Sequence, residues 1–387
     1  MRIAIFSESY EPIVNGVSVC VATLRDELSK RGHEVFVFAP AYKGFVDGRD
    51  DVFRFPSRHT VLMPDYPFPI PYAPELFRKF KSLRPDIVHT QTPFLLGIVG
   101  RKWARQCGVP VVSTNHTLYT EYAHYMPIIP KFVTKGALIL LMRWYYSRCN
   151  AVVVPSEMVK NILMSYGVKA PIRVIKTGVV PSKKLDPESR SEVRRRFGVS
   201  EKGFLLLYVG RIAREKNLAM LLKAFAEVLK SFPNTRLVLV GGGPAMNETK
   251  ELARQLGVSS ALEFAGMLDR ERIDPIYSAA DVFVFPSITE TQGIAICEAM
   301  SAGLPVVAAN AGGIPENVRS DVDGFLTPND PHLFADRIGF LLSHPEKRVE
   351  MGASARKNAS CFSVDRMISD FENFYNSVIE SAKRCTF

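Results

Sequence analysis

Two glutamates, Glu290 and Glu298, stand with seven residues between them inside residues 285–318, FPSITETQGIAICEAMSAGLPVVAANAGGIPENV. A short apolar run, 281–285, ends at Pro286, and a polar loop follows before apolar residues return at Ile294, Ile296, Cys297 and Met300 with helical spacing. The loop therefore feeds a helix start. Such a start offers unpaired backbone N–H groups and the positive end of a helix dipole, which favour a phosphate or a polarised hydroxyl. Gly293, between Gln292 and Ile294, lets a ligand come close to the backbone. With Glu290 at the loop mouth and Glu298 more than a turn inside the helix, the two carboxylates reach different parts of one long ligand. Each accepts hydrogen bonds bidentately, which suits vicinal hydroxyls of a sugar or ribose.

Cations stand at an equivalent place. In residues 210–217, GRIAREKN, Arg211 and Lys216 fall after an apolar strand at 204–209 and before a helix at 218–230, where an anion is held in a βα unit. The strand 236–240 runs into Gly241-Gly242-Gly243-Pro244, a turn that allows close approach at Gly243. Gly16, in PIVNGVS, opens the first helix; it belongs to no G-x-G-x-x-G fingerprint and no P-loop. His116 follows a strand at 109–114, so it lies at a sheet's carboxyl edge. His116 and His124 lack a carboxylate or Cys at ligand spacing, and Asp321-Val322-Asp323 reads as a turn before Phe325, so no metal site is expected.

The elements that must position these groups alternate. Strand 2–6, helix 17–31 and strand 34–39 open a βαβ unit, and further strands follow near 51–55, 87–90, 109–114, 151–154 and 172–175. Repeated βα units imply an α/β fold with parallel sheets covered by helices and ligands beyond the strands' carboxyl ends. The Pro-rich residues 64–74, PDYPFPIPYAP, read as an exposed, partly rigid loop with apolar tips, because each Pro removes a donor. Residues 177–188 have linker composition. The expected division is 1–178, joined by the last helix within 364–387, and 179–363.

The 387 residues and 47% hydrophobic content suit two full cores. The formal charge of +10 is unevenly placed: residues 1–180 hold 23 Lys/Arg against 13 Asp/Glu, and the remainder 26 against 26. An anionic partner is expected on the first half. No nucleic-acid reader motif accompanies that charge. Between Glu121 and Glu157 there is no acid, while Lys131, Lys135, Arg143 and Arg148 punctuate an apolar segment that includes Trp144, a composition suited to a helix lying on an anionic membrane surface. The six cysteines lack C-x-x-C spacing, which fits reduced thiols, and no apolar run reaches the roughly 18 residues of a spanning helix.

The segment 285–318 resembles the E-x7-E region of retaining glycosyltransferases of the GT-B fold, in particular glycosyltransferase family four. The match includes Pro286-Ser287, Gly293, Glu298-Ala299-Met300, Gly303 with Pro305, and Gly312-Gly313. His116, Thr117, Tyr119, Glu121, Tyr122, His124 and Tyr125 resemble the run in members that glucosylate diacylglycerol, and Gly210 to Lys216 the G-R-x-x-x-E-K motif. The resemblance implies two Rossmann-like domains facing a cleft. In it, Glu290 and His116 meet the donor sugar, Glu298 the ribose, Arg211 and Lys216 the diphosphate, and Gly16, Gly243, Met267, Gln292, Gly293 and Ile294 line the donor. It further implies a UDP-hexose donor with no cofactor or metal, a lipid acceptor, and a cytoplasmic enzyme held peripherally on the inner face of the cell membrane. A GDP-mannose-dependent mannosyltransferase acting on a phosphatidylinositol-type lipid, and a nucleotide-sugar epimerase, are the alternatives.

Overall fold

The first strand, RIAIF, is buried at every position but its first and pairs in parallel on both sides. In the computed structural model, which describes residues 1–13, 15–60, 63–121, 131–182 and 185–384, it opens one of two units, Met1–Gly178 with Val364–Phe387. Its elements are β1 (Arg2–Phe6), α1 (Gly16–Lys30), β2 (Glu34–Pro40), β3 (Val52–Phe55), β4 (Ser57–Thr60), β5 (Met63–Pro69), α2 (Pro74–Leu83), β6 (Ile87–Thr90), α3 (Leu95–Cys107), β7 (Val111–Thr114), α4 (Lys131–Tyr146), β8 (Ala151–Val154), α5 (Glu157–Ser165) and β9 (Ile172–Val174). The main sheet is parallel, in the order β3-β2-β1-β6-β7-β8-β9. β6, β7 and β8 are buried at every residue, as strands covered by helices on both faces must be.

Local chemistry sets the helix ends. Asn15 caps α1 by accepting from Val17 and Ser18 N–H, and Ser18 Oγ returns a bond to Asn15 N–H, a reciprocal capping box. The Pro-rich stretch departs from expectation: β5 pairs antiparallel with β4 in a separate two-stranded ribbon. Proline is excluded from the middle of a sheet but tolerated on an edge, and both strands of this ribbon are edges.

The second unit is Val179–Ser363. It holds α6 (Pro187–Arg196), β10 (Phe204–Val209), α7 (Leu218–Ser231), β11 (Thr235–Val240), α8 (Met246–Gln255), β12 (Leu262–Gly266), α9 (Arg270–Ala279), β13 (Val282–Phe285), α10 (Ile294–Ala302), β14 (Val306–Ala309), β15 (Gly324–Thr327), α11 (Pro331–Ser343) and α12 (Pro345–Ala359). Its sheet, β12-β11-β10-β13-β14-β15, is again parallel throughout. The linker-like composition at 177–188 gives way to helix at Pro187, where Asp186 accepts from Ser189 N–H at 2.9 Å. Buried Asp281 binds Arg194 at 2.8 Å and accepts from Leu205 N–H at 2.8 Å, tying α6 to the sheet.

The last helix, α13 (Val364–Arg384), belongs to the first unit. It buries Met367, Ile368, Phe371, Tyr375 and Val378, each large side chain contributing about 1.5–3 kcal/mol. Tyr375 Oη bonds the imidazole of buried His89 at 2.7 Å, and Glu372 meets Arg31 and His33. Among the described residues no helix is long and apolar enough to cross a membrane.

Candidate active site

In the second unit the loops after β10, β11, β12 and β13 collect at the sheet's carboxyl edge. Arg211 and Lys216 lie in the loop between β10 and α7, and the Tyr208 hydroxyl donates to Arg211 O at 3.0 Å, holding that loop over its own strand. The Gly241-Gly242-Gly243 turn packs against the same loop. A Cβ on Gly241 would sit 2.0 Å from Gly210 O and one on Gly243 2.3 Å from Ile212 O, so only glycine fits at either position. The Met267 side chain lies over Gly242 and is 73% exposed, available to whatever enters.

Glu290 reaches across to this loop. Its Oε1 lies 2.5 Å from Lys216 Nζ, with both side chains largely buried. The Glu290 backbone is clamped in turn: its carbonyl accepts from Gly313 N–H at 2.9 Å, and a Cβ on Gly312 would meet that carbonyl at 2.4 Å. Gln292 is buried, with its carbonyl bonded by Asn317 Nδ2. Gly293, in the left-handed region at φ 83°, is the N-cap of α10, so Ile294 is the first residue of the helix.

Glu298, a turn further in, is bonded by Arg270 Nη1 and accepts from the Tyr277 hydroxyl at 2.9 Å. Burial pushes its carboxyl pKa up, and Arg270 and Tyr277 pull it back. Arg270 also bonds Val180 O at 2.8 Å and lies 2.8 Å from Asp274, which fixes its guanidinium. Neither Arg270 nor Tyr277 stands out in the sequence. Buried Ser287 and half-buried Thr289, whose hydroxyls lack partners among the described residues, are also new members of this edge.

In the first unit Gly16 begins α1 beyond β1, and His116 follows β7. His116 Nε2 is 2.7 Å from Gln91 Oε1, and burial drives the imidazole pKa down to about 4, so the ring is neutral at physiological pH. Tyr122, His124 and Tyr125 lie outside the described residues, as does the Lys131 side chain. α4 is two-faced. Met142, Tyr145 and Tyr146 are buried, whereas Phe132 is 79% and Leu140 65% exposed, with Val133, Lys135, Arg143 and Trp144 also outward and Arg148 exposed just past the helix end. Arg101 and Arg148 stack on Trp144 at 4.5 and 5.3 Å from the ring centre.

Asp323, half of the D-x-D sequence, is fully buried and bonded by Arg319 and Asn358, which makes it a structural anchor. Among the described residues no group of three or more His, Cys, Asp or Glu side chains is placed to hold a metal ion.

Residues 14–183 match the Glycosyltransferase Family 4 model, and residues 189–358 match Glycosyl transferases group 1. The chain is 36% identical to an alpha-monoglucosyldiacylglycerol synthase of Streptococcus pneumoniae over 80% of its own length and 71% of the relative's. It is 32% identical to a GDP-mannose-dependent alpha-mannosyltransferase of Mycolicibacterium smegmatis, over 87% and 90% of the two chains. Its fold is similar to the crystal structure of Anabaena Alr3699/HepE in complex with UDP and glucose, with TM-score 0.78 and 22% identity over 97% of this chain and all of that one. By these similarities the chain belongs to the GT-B glycosyltransferases and is homologous to the alpha-monoglucosyldiacylglycerol synthases.

Proposed function

We propose that the protein moves glucose from UDP-glucose to a lipid hydroxyl, such as that of diacylglycerol, with retention of anomeric configuration and without a metal ion. The observation that carries this reading is the 36% identity to a synthase of monoglucosyldiacylglycerol. Arg211 and Lys216 receive the diphosphate, Glu298 the ribose hydroxyls, and Glu290 and His116 the hexose. Gly16, Gly243, Met267, Gln292, Gly293 and Ile294 line the donor. The acceptor hydroxyl attacks the face that the diphosphate leaves, while Arg211, Lys216 and the start of α10 stabilise the charge that builds on the leaving group. Metal is unnecessary in this scheme because fixed cations do its work.

The outward face of α4 supports peripheral attachment to an anionic leaflet, which for a cytoplasmic enzyme is the inner face of the cell membrane. Phe132, Leu140 and Trp144 enter the headgroup layer while Lys135, Arg143 and, just past the helix end, Arg148 meet its charge; Lys131, the first residue of α4, belongs to the same basic segment of the sequence. Family membership favours transfer over epimerisation. The 32% identity to a mannosyltransferase keeps GDP-mannose, with a phosphatidylinositol-type acceptor, as the second reading. Incubation with labelled UDP-glucose or GDP-mannose and vesicles containing diacylglycerol or phosphatidylinositol separates the two. Label in the lipid phase from UDP-glucose supports the first, label from GDP-mannose alone supports the second, and no lipid label from either contradicts both.

A further inference from the structure

We propose that Asp323 is a positioning residue for the donor: through Asn358 and Asn317 it sets the carbonyl of Gln292, and with it the loop and helix start where the sugar diphosphate is received. This rests on the reading above, in which the edge around Glu290 takes the donor, and every residue involved belongs to the second unit.

The relay starts from a group that cannot shift. Asp323, Asn317 and Gln292 are each at most 2% exposed, and Asn358 is half-buried on α12. Arg319 donates to the Asp323 carboxylate from its backbone N–H at 3.2 Å and from its guanidinium at 2.6 and 2.8 Å. Asp323 O accepts from Val306 N–H at 3.2 Å, which ties it to β14. The next residue is Gly324, where a Cβ would sit 1.9 Å from Val306 O, so the backbone is pressed against that strand.

From this carboxylate the bonds run toward the donor edge. Asn358 Nδ2 carries two hydrogens: one goes to Asp323 Oδ2 at 2.7 Å and the other to Asn317 O at 2.9 Å. With its backbone held in this way, Asn317 donates from its own Nδ2 to Gln292 O. Gln292 precedes Gly293, the N-cap of α10. In a trans peptide the C=O and the following N–H point in opposite directions, so drawing Gln292 O onto Asn317 turns the Gly293 N–H away from it. Gly313 N–H makes a second clamp on Glu290 O at 2.9 Å. The segment 312–317 thus grips the donor loop at Glu290 and at Gln292, and the grip on Gln292 is the one that leads back to Asp323.

Neutralising a buried aspartate does not require this arrangement. The Arg319 fork meets both carboxylate oxygens by itself, so what Asn358 adds is the connection to Asn317. Placement of a group that stabilises a transition state is sensitive to such remote contacts, where a shift of about 1 Å can cost about 10²-fold.

The test is Asn358→Ala, which removes the central amide from α12 and puts a good helix former in its place. Two readouts are compared with wild type at a temperature where circular dichroism shows both fully folded: hydrogen exchange at the amides of Ile296, Cys297 and Gly313, and sugar transfer from UDP-glucose to diacylglycerol vesicles. The expected result is exchange about tenfold faster at these amides with β10 unchanged, and kcat/KM for UDP-glucose about tenfold lower. A role in packing alone would lower the melting temperature and leave both readouts at wild-type values in the folded protein. That outcome, faster exchange throughout the unit, or kcat/KM within twofold of wild type overturns the assignment. Should Asn358→Ala fail to fold, Asn317→Ser keeps the bond to Asn358, which the backbone carbonyl makes, and removes only the one to Gln292; the same readouts then decide. If the wild type transfers nothing from UDP-glucose, the donor reading falls by itself and exchange decides the relay: faster exchange at the three amides supports it, and wild-type rates overturn it.

Discussion

The two sheet edges hold their polar groups in opposite ways. On the second unit each candidate carboxylate has its own cation, Lys216 for Glu290 and Arg270 for Glu298. On the first unit Glu8 and His116 are turned toward their neutral forms by burial, and neighbouring amide and hydroxyl atoms have no partner among the described residues. Paired charges with little solvent between them suit exchange with a polyanion, which can take over a cation from a carboxylate at small desolvation cost. Neutral, under-bonded groups suit a hydroxyl. The contrast matches a donor carrying a diphosphate on one unit and an uncharged acceptor group on the other.

Removing the cations strikes this contrast hardest. Arg211→Ala and Lys216→Ala each lose charge-assisted bonds of about 1.5–3 kcal/mol, so donor KM is expected to rise, or kcat/KM to fall, by about 10- to 100-fold. Steady-state kinetics at several UDP-glucose concentrations checks this. Near-normal values in both variants would break the assignment of the second unit.

Acid separates the units next. His89 is fully buried between Thr114 and Tyr375, and burial, with His116 nearby, lowers its pKa to about 3. The unfolded chain binds a proton there that the folded chain refuses. Stability therefore rises with pH across this window: the penalty is absent above pH 6.5 and complete below about 3. Between pH 6.5 and 5 His89 alone costs the first unit about 2 kcal/mol; His116 adds a loss of the same sign, and Glu8, whose carboxyl burial raises, offsets part of the sum. Hydrogen exchange, which reports each unit separately, should show protection in β6 and α13 falling on acidification more than in β10 and β13.

A smaller effect tests the Glu298 pair. Without Arg270 the buried carboxylate keeps its upward shift and loses the largest opposing influence, so it protonates at a higher pH. Arg270→Ala should raise donor KM about tenfold near neutrality, and the rise should grow as pH falls, beginning at higher pH than in wild type. A uniform, pH-independent rise would mean Arg270 acts on the fold alone. Smallest of all, Lys135→Ser and Arg143→Ser should each weaken sedimentation with anionic vesicles by about fivefold, near 1 kcal/mol per charge.

Much of the scaffold is legible in the residues themselves. β1, β8 and β10 are largely apolar runs bounded by turn residues, and their limits follow from that pattern alone. β5 is not legible, because its prolines argue against a strand and the partner that makes it one, β4, is not implied by local sequence. α4 is apolar on most sides, so its outward face emerges only once the sheet has covered Met142 and Tyr145. The second carboxylate of the E-x7-E pattern is visible in sequence, whereas its counter-ion Arg270 lies 28 residues away and carries no local signal.

The most direct test of the donor assignment is a crystal structure with UDP bound. The diphosphate should lie against Arg211 and Lys216, with Lys216 drawn off Glu290 and the ribose hydroxyls on Glu298. Nucleotide bound elsewhere, with the Lys216–Glu290 and Arg270–Glu298 pairs undisturbed, would contradict the account.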